Sequence, residues 1–531
     1  MSWLGFSPLN AFRVFSTVLI AMACGIPLNA AEWSKLETPR YTIISHVPDR
    51  LTRSVASDLD DFLGLFNRLV VVEPRSLQPL TIVLFDGDSE LDPYKPLTPD
   101  GINIDWVSEE KAEVWTTSVT GSRNGWMAVA VAAQAGITGE DYNFLTRRAV
   151  LTGVVRWYLE AMKTPVPPAV TFGMQRLFSD YRREITHGVL GNVTPDGEGR
   201  KGQDSAIILG HWPLIPVKQL LAMTQMEAIT GHNRVVFDQE SWALVEYLLF
   251  SKWSTERHAF TTFWGALGDG FTPEEALVKA LGPDGAANID TDLSAFLHSM
   301  RYVVKIEMGK EVENKDPIVP ADPMDVAIAL TKATMISGHG SPVSDADAAV
   351  AASHGRSEAY DIRAEALAAS KAAPVDVEKA VEDALAHGSH GAFTAWEYAA
   401  YRFSQIGDPA ASPKETRAVV NLAEKAANLD FRYRASFDLL AKALVFSDHV
   451  TDDDAKFMEF ARTNFPWDRW ILIGQSAIHA RTGDSEGARQ LRERAVSDDR
   501  TLNPKQLAEV KAFVALKGVA APVSPAGGGQ S

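Results

Sequence analysis

The sequence predicts an α+β domain with an N-terminal sheet and a helical second half, followed by an all-α array of helical repeats. Three observations carry this. Short alternating or apolar runs of β-formers lie only near the N-terminus. Apolar residues at helical spacing dominate from about residue 140 onward. Beyond about residue 325 the composition turns alanine-rich, and four blocks share one register.

The chain has 531 residues, 46% hydrophobic and 22% charged, an ordinary globular composition with length for two or more domains. Its formal net charge of -17 repels phosphate backbones and anionic lipid, so no nucleic-acid partner is expected. Residues 1–31 read as a signal peptide. Arg13 precedes an apolar run, Val14 to Gly25, too short to span a bilayer stably. Pro27 breaks the run, and Asn29-Ala30-Ala31 offers a small-residue cleavage site before Glu32. The alternative is an uncleaved anchor. The expected location is therefore periplasmic or secreted, with no membrane span after signal removal. Cys24 is the only cysteine, and Ala21-Met22-Ala23 is a poor approach to a lipoprotein cysteine. Cleavage leaves a mature chain without thiols, which excludes disulfides and cysteine–metal sites.

In chain order, Arg40 to Val47 alternates as a strand, and Asp49 to Leu69 follows with Leu51, Val55, Leu59, Phe62, Leu63 and Phe66 at helical spacing. Leu80 to Phe85 is an apolar strand closed by Asp86-Gly87. Further strands are expected over Gly101 to Val107, Ala112 to Ser118 and Gly125 to Ala132. A helix is expected from Glu140 to Lys163, stopped by Pro165, Pro167 and Pro168, and another from Pro168 to Tyr181 with proline in its first turn. Four more helical stretches are expected between Pro216 and Met300. The expected α+β domain covers residues 32–310. Residues 311–325 read as a linker, since Lys310 to Asp322 is polar and contains two prolines.

Residues 326–515 are expected to form the helical repeats. Blocks begin near Ser357, Phe393, Arg434 and Arg469, about 35 to 41 residues apart. Each has an aromatic or leucine at its fourth position (Tyr360, Trp396, Phe437, Leu472) and a small residue at its eighth (Ala364, Ala400, Ala441, Ser476). The last block adds Gly483, Ala488 and Ala495 where antiparallel helices turn and pack. This pattern resembles the tetratricopeptide repeat, in which a small residue lets paired helices approach closely. The repeat's usual prolines are missing and the third block drifts. Residues 516–531 read as a disordered tail.

Order and phrasing over about residues 38 to 305 resemble the gluzincin, peptidase-MA-like domain of secreted bacterial proteins, which often carry tetratricopeptide repeats. The strand Arg40 to Val47, the long helix and the strand Leu80 to Phe85 are followed by a helix, a proline turn and the phrase Pro168 to Ser179. Active relatives read approximately PWLSEGLAEYFS there. Leu220-Leu221-Ala222 and Ser241 to Leu248 look like the helices that close the family's domain. The resemblance implies a zincin-like fold. Its chemistry needs H-E-x-x-H on one helix, with two imidazoles sharing a face toward zinc and a glutamate polarising water, and a third ligand from the next helix. Here Thr152 and Arg156 stand for the histidines, Gly153 for the base and Phe172 for the third ligand. The resemblance thus implies a pseudopeptidase with no catalytic residue, no metal and no cofactor.

No two of the twelve histidines are four apart. The closest pair, His387 and His390, sits in a glycine-containing turn. Gly197 to Gly202 fits G-x-G-x-x-G but follows no strand and reads as a turn. Asn192-Val193-Thr194 is a glycosylation sequon by pattern only. Arg156, if buried, needs a carboxylate, with Glu160 and then Glu184 as candidates. Phe172 is expected to fill the vacated cavity. The expected function is non-catalytic, a scaffold whose repeat surface binds a protein or peptide. The rival expectation is an active hydrolase of the gluzincin type using an unrecognised site. Mass spectrometry of the purified protein should find its N-terminus at Ala31 or Glu32; an intact Met1, or lipid on Cys24, would overturn the export reading.

Overall fold

The structure, a computed structural model, describes residues 33–70, 77–94, 118–123, 126–133, 144–162, 166–190, 213–223, 234–299, 304–309, 313–338, 340–447, 449–465, 468–497 and 504–515. The expected signal peptide and tail, the strand expected over 101–107 and nearly all of that over 112–118 lie outside the described residues. So do the sequon and the Gly197 to Gly202 turn.

The described part is mostly helical, with a mixed N-terminal sheet. Strands β1 (Ser34–Glu37), β2 (Tyr41–Ser45), β3 (Leu80–Asp86), β4 (Ser118–Arg123), β5 (Trp126–Ala133) and β9 (Ile318–Pro320) form one sheet in the order β4-β5-β3-β2-β1-β9. The pairs β2–β3 and β3–β5 are parallel; the others are antiparallel. Parallel neighbours need a crossover, and helix α1 (Asp49–Leu69) supplies it between β2 and β3.

Every residue of β5, and all of β3 up to Phe85, is buried. Continuous apolar strands of this kind need cover on both faces. On one face Ile43, Ile82, Leu84, Met127, Val129 and Val131 meet Val55, Leu59 and Phe62 of α1 within the main core. On the other face Ile44, Val83, Phe85, Ala130 and Ala132 meet Ala329 and Ala333. Those alanines belong to α9 (Pro323–Ser337), the first helix after the sheet is complete. Small side chains on both sides let α9 lie close to the sheet.

Between β5 and β9 come α2 (Phe144–Met162), α3 (Pro168–Ser179), α4 (Val217–Ala222), α5 (Arg234–Phe250), α6 (Lys252–Glu256), α7 (Ala259–Gly268) and α8 (Pro273–Ser299). Four helical stretches were expected between Pro216 and Met300 and five helices are described; the extra one, α6, is little more than a turn, capped by Ser251. Helix α8 breaks at Gly282, whose φ of 76° suits only glycine and precedes Pro283. A three-stranded sheet of β6 (Arg182–Glu184), β7 (His187–Leu190) and β8 (Val304–Glu307) completes this part. Its strands are too short for alternation to be read.

Of the segment expected as a linker, residues 313–325 are not free. Ile318–Pro320 pairs antiparallel with β1 as the sheet's edge strand, where proline is tolerated. Just before it, buried Asn314 takes a hydrogen bond from Arg53 on its carbonyl (2.9 Å) and donates its backbone N–H to Ser57 Oγ (3.0 Å) and its amide to Asp60 (2.8 Å). Polarity and two prolines made an ordered edge look like a spacer.

Helices α10 (Pro342–Ala352), α11 (Ser357–Ala369), α12 (Pro374–Ala386), α13 (Ala392–Ser404), α14 (Pro413–Leu429), α15 (Arg434–Phe446), α16 (Asp452–Asn464), α17 (Arg469–Arg481), α18 (Ser485–Val496) and α19 (Pro504–Val514) follow. The four sequence blocks coincide with the starts of α11, α13, α15 and α17. Short connections and direct packing make α9–α10, α11–α12, α13–α14 and α17–α18 helical hairpins. A Cβ on Gly474 would lie 2.8 Å from Ala441 Cβ, so α15 and α17 touch almost backbone to backbone at the expected small position.

Sheet and array are joined by more than α9. Trp126 on β5 donates its indole N–H to buried Glu365 of α11 (2.9 Å), and Lys332 of α9 lies 5.3 Å from the Trp126 ring with Nζ 3.2 Å from Thr81 Oγ1. Burial pushes the Lys332 ammonium below its usual range, against the pull of Glu365 and Asp325. Farther along, Arg432 donates to the Leu77 carbonyl (2.9 Å). Ending the chain at residue 320 should strip cover from Ile44, Val83 and Phe85, each worth about 1.5–3 kcal/mol when buried, against a total stability of roughly 5–15 kcal/mol. The truncated protein is expected to bind anilinonaphthalene sulfonate and aggregate; a monomeric, cooperatively melting fragment would refute this dependence.

Candidate functional site

The four positions singled out by sequence lie on α2 and α3, two helices that pack together, with α3 packing in turn on α5. Thr152 and Gly153 are buried on α2, Arg156 is half-buried on the same helix, and half-buried Phe172 lies on α3. Helices α2 and α3 are in contact, as are α3 and α5. Phe172 sets its ring edge-to-face against Phe237 of α5 at 5.5 Å. Beside it, a Cβ on Gly173 would run into the Ser241 backbone carbonyl and lie 2.6 Å from Val245 Cγ2. Glycine is therefore what lets α3 and α5 touch at this point.

The polar groups left in this region do not converge. Thr152 Oγ1 and Ser241 Oγ have no hydrogen-bond partner among the described residues. On α5, Glu240 accepts the Ile215 N–H (2.8 Å); burial pushes its carboxyl up to about 7, eased by that bond and raised again by Asp290. Burial alone pushes Glu246 up to about 8, and its Oε2 has no partner among the described residues. Asp180, just past α3, faces Arg148 of α2 at 3.3 Å; burial lifts its carboxyl to about 6 although the guanidinium opposes this. Among the described residues no three His, Cys, Asp or Glu side chains come together as a metal-binding group. Of the carboxylates proposed for Arg156, the Glu160 side chain lies outside the described residues. Glu184 pairs with Arg182 (2.8 Å) and Lys305 (2.7 Å) on the small sheet.

The histidine pair in the array is a helix end. His387 follows α12, stacks on Tyr360 with ring centroids 3.7 Å apart, and places Nδ1 2.8 Å from the Asp383 carbonyl; His390 is exposed in the turn. A pair that sequence reading passed over lies at the carboxyl end of β2. His46 Nδ1 is 2.8 Å from the Glu90 carboxylate, and Trp33 stacks on the imidazole at 4.8 Å. Glu90 also accepts the Asp86 N–H (2.9 Å) at the end of parallel β3. The ends of adjacent parallel strands are a usual place for chemistry. The 44-residue separation of the two side chains left no local signal.

The array contains a cleft of about 420 Å³ where the end of α11, α12 and α13 meet. Val377, Val381 and Ala400 form apolar wall, and Trp396, Tyr398 and Tyr401 of α13 add aromatic faces. Glu378 and Glu397 bring carboxylates. The Tyr401 hydroxyl donates to Glu378. The periodicity identified Trp396 and Ala400 as packing positions of a repeat, and both also line this cleft. No protein-family model, curated protein or solved structure matches the chain.

The buried carboxyl of Glu246 sets a pH dependence. Its folded-state pKa of about 8 lies above the usual carboxylate value, so the folded state holds the extra proton and stability falls as pH rises from about 4.5 to about 8. Glu246→Gln, neutral at every pH, should flatten that decline and stabilise the protein at pH 8–9 by an order of a few kcal/mol. Urea denaturation of both forms across pH 5–9 checks this; parallel stability curves would show that Glu246 is not the titrating group.

Proposed function

We propose that this chain is an exported, non-catalytic binding protein, a zincin-like domain that has lost its chemistry and carries a tetratricopeptide-like array that holds a protein or peptide. The observation that carries the reading is the cleft among α11, α12 and α13, a concave, mostly apolar pocket with a few polar groups, built from helical hairpins. Two further facts support it. The helices bearing Thr152 and Phe172 lie side by side, as the resemblance to peptidase-MA-like domains implies. Thr152 and Gly153 are packed inside the core. A threonine and a glycine offer no donor pair suited to zinc, and Phe172 and Arg156 offer none at all. The place of action is proposed as the periplasm or the exterior, from the N-terminal signal pattern. No described helix is long and apolar enough to cross a membrane.

The rival reading, a hydrolase, has His46 and Glu90 in its favour. A carboxylate on one imidazole nitrogen fixes the tautomer and leaves the other nitrogen free to act as a base. Peptidase and esterase assays on the mature protein, with and without chelator and with His46→Ala, separate the two readings. The binding reading expects no turnover above buffer, substoichiometric zinc by elemental analysis and saturable binding of short peptides to the whole chain. Stoichiometric zinc with chelator-sensitive hydrolysis, or turnover lost with His46→Ala, would overturn it.

A further inference from the structure

We propose that the cleft among α11, α12 and α13 recognises a cationic side chain, arginine or lysine, presented by a peptide. This rests on the reading of the array as a peptide-binding scaffold and adds the chemistry of the ligand. Two carboxylates, Glu378 and Glu397, line the cleft, and no lysine, arginine or histidine does. Three aromatic residues share the wall with them. Trp396, Tyr398 and Tyr401 lie within two turns of α13, and an electron-rich ring face attracts a cation most where water is partly excluded. Tyr401 holds Glu378 by a hydrogen bond from its hydroxyl, and Glu382, one turn farther along α12, adds to the negative field on that tyrosine. Val377, Val381 and Ala400 offer apolar surface against which a long methylene stem can lie while its charged head reaches the carboxylates.

Charge at the rim is mixed and does not reverse this preference. Arg402 is exposed and leans toward the Tyr398 hydroxyl (3.4 Å), Lys379 is exposed on α12, and Glu382 is exposed one turn along the same helix. The chain as a whole carries -17, which steers basic partners toward it and acidic ones away. Pro374 forms part of the wall and Val375, 66% exposed, stands next to it at the start of α12. The cleft is open along one side. A peptide backbone can run over that side with one side chain inserted, whereas a free amino acid would leave the apolar edge uncovered.

The test uses the mature full chain and a short fluorescein-labelled Gly/Ser peptide with one central arginine, read by anisotropy at low and physiological salt. Peptides with central lysine, citrulline or glutamate, and free arginine as competitor, complete the set. Arginine and lysine peptides should bind roughly tenfold or more tighter than the citrulline peptide, and more weakly as salt rises. Glu378→Gln should weaken the arginine peptide about tenfold, and Ser404→Trp, placed at the exposed rim, should abolish binding. Both substitutions lie on accessible surface, and unchanged thermal melts establish that they fold. Equal affinity for arginine and citrulline peptides, indifference to both substitutions, or free arginine binding as tightly as the peptide would overturn the inference. If neutral peptides bind and Ser404→Trp removes them, the array is a peptide scaffold without cation selectivity and only this inference falls. If no peptide of any charge binds, the scaffold reading falls with it.

Discussion

The molecule is organised by a sheet that is apolar on both faces. Strands β3 and β5 offer no polar face to water, so each surface needs a cover. The chain supplies one from α1, directly after β2, and the other from α9, some 240 residues beyond β3. Because α9 is also the first arm of a helical hairpin, the array cannot be detached from the sheet without exposing Phe85 and its neighbours. Strand β9 adds a second tie, since the residues just before α9 complete the sheet's edge beside β1. Buried polar contacts follow from this geometry. Once α11 covers the outer end of β5, the Trp126 N–H is sealed from water, and Glu365 is the acceptor that satisfies it.

The array solves a different problem, the packing of alanine-rich helices with little bulk between them. Ala441 against Gly474 shows one solution, close backbone approach. Buried carboxyl pairs beside arginine show another. Asp454, in the first turn of α16, takes hydrogen bonds from Arg417 (2.5 Å) and the Thr451 N–H (2.6 Å), and these together with Glu424 hold its carboxyl down despite burial. Glu424 is pushed up to about 8 by burial and then by Asp454, and keeps the proton the pair shares. One interface later, Asp438 is raised well above the ordinary carboxylate range by burial and by Asp468, with Arg434 and Lys442 opposing. Asp468 is tied to its own helix as the N-cap of α17. In both places an acidic side chain near a helix N-terminus faces a second carboxyl that burial pushes up, with an arginine beside them.

Much of the fold was legible because its signals are local. The α1 periodicity reproduces Asp49–Leu69, the run Leu80 to Phe85 is β3, the Pro168 stop starts α3, and the repeat register lands on α11, α13, α15 and α17. What escaped was non-local. Whether Ile318–Pro320 is a linker or an edge strand depends on β1, nearly three hundred residues away. The hairpin α9–α10 precedes the first recognised block because α9 is shaped by the sheet it covers, with Ala329 and Ala333 selected for closeness to β5. The candidate sites divide in the same way. Thr152, Gly153, Arg156 and Phe172 were named from phrases along the chain, and their helices do pack together. The His46–Glu90 pair and the aromatic cleft are assembled from separate elements, and no spacing in the sequence announces them.

The junction of α2, α3 and α5 follows the same physics on a smaller scale. Gly173 brings α3 and α5 into backbone contact at Ser241; Ser241 and Thr152 are both buried, and neither hydroxyl has a hydrogen-bond partner among the described residues. Glu246, on the same helix as Ser241, is buried with one oxygen unpartnered among the described residues, and burial pushes its carboxyl up to about 8. Each of these groups is destabilising as it stands, by roughly 1–3 kcal/mol for an unsatisfied buried polar atom. A core can carry such groups only if the surrounding structure holds it closed. Here the aromatic packing of Phe62, Phe66, Tyr158 and Phe178 on one side of α3, and the Phe172–Phe237 contact on the other, supply that closure. The polar groups of this junction are enclosed, whereas the cleft among α11, α12 and α13 is open to solvent.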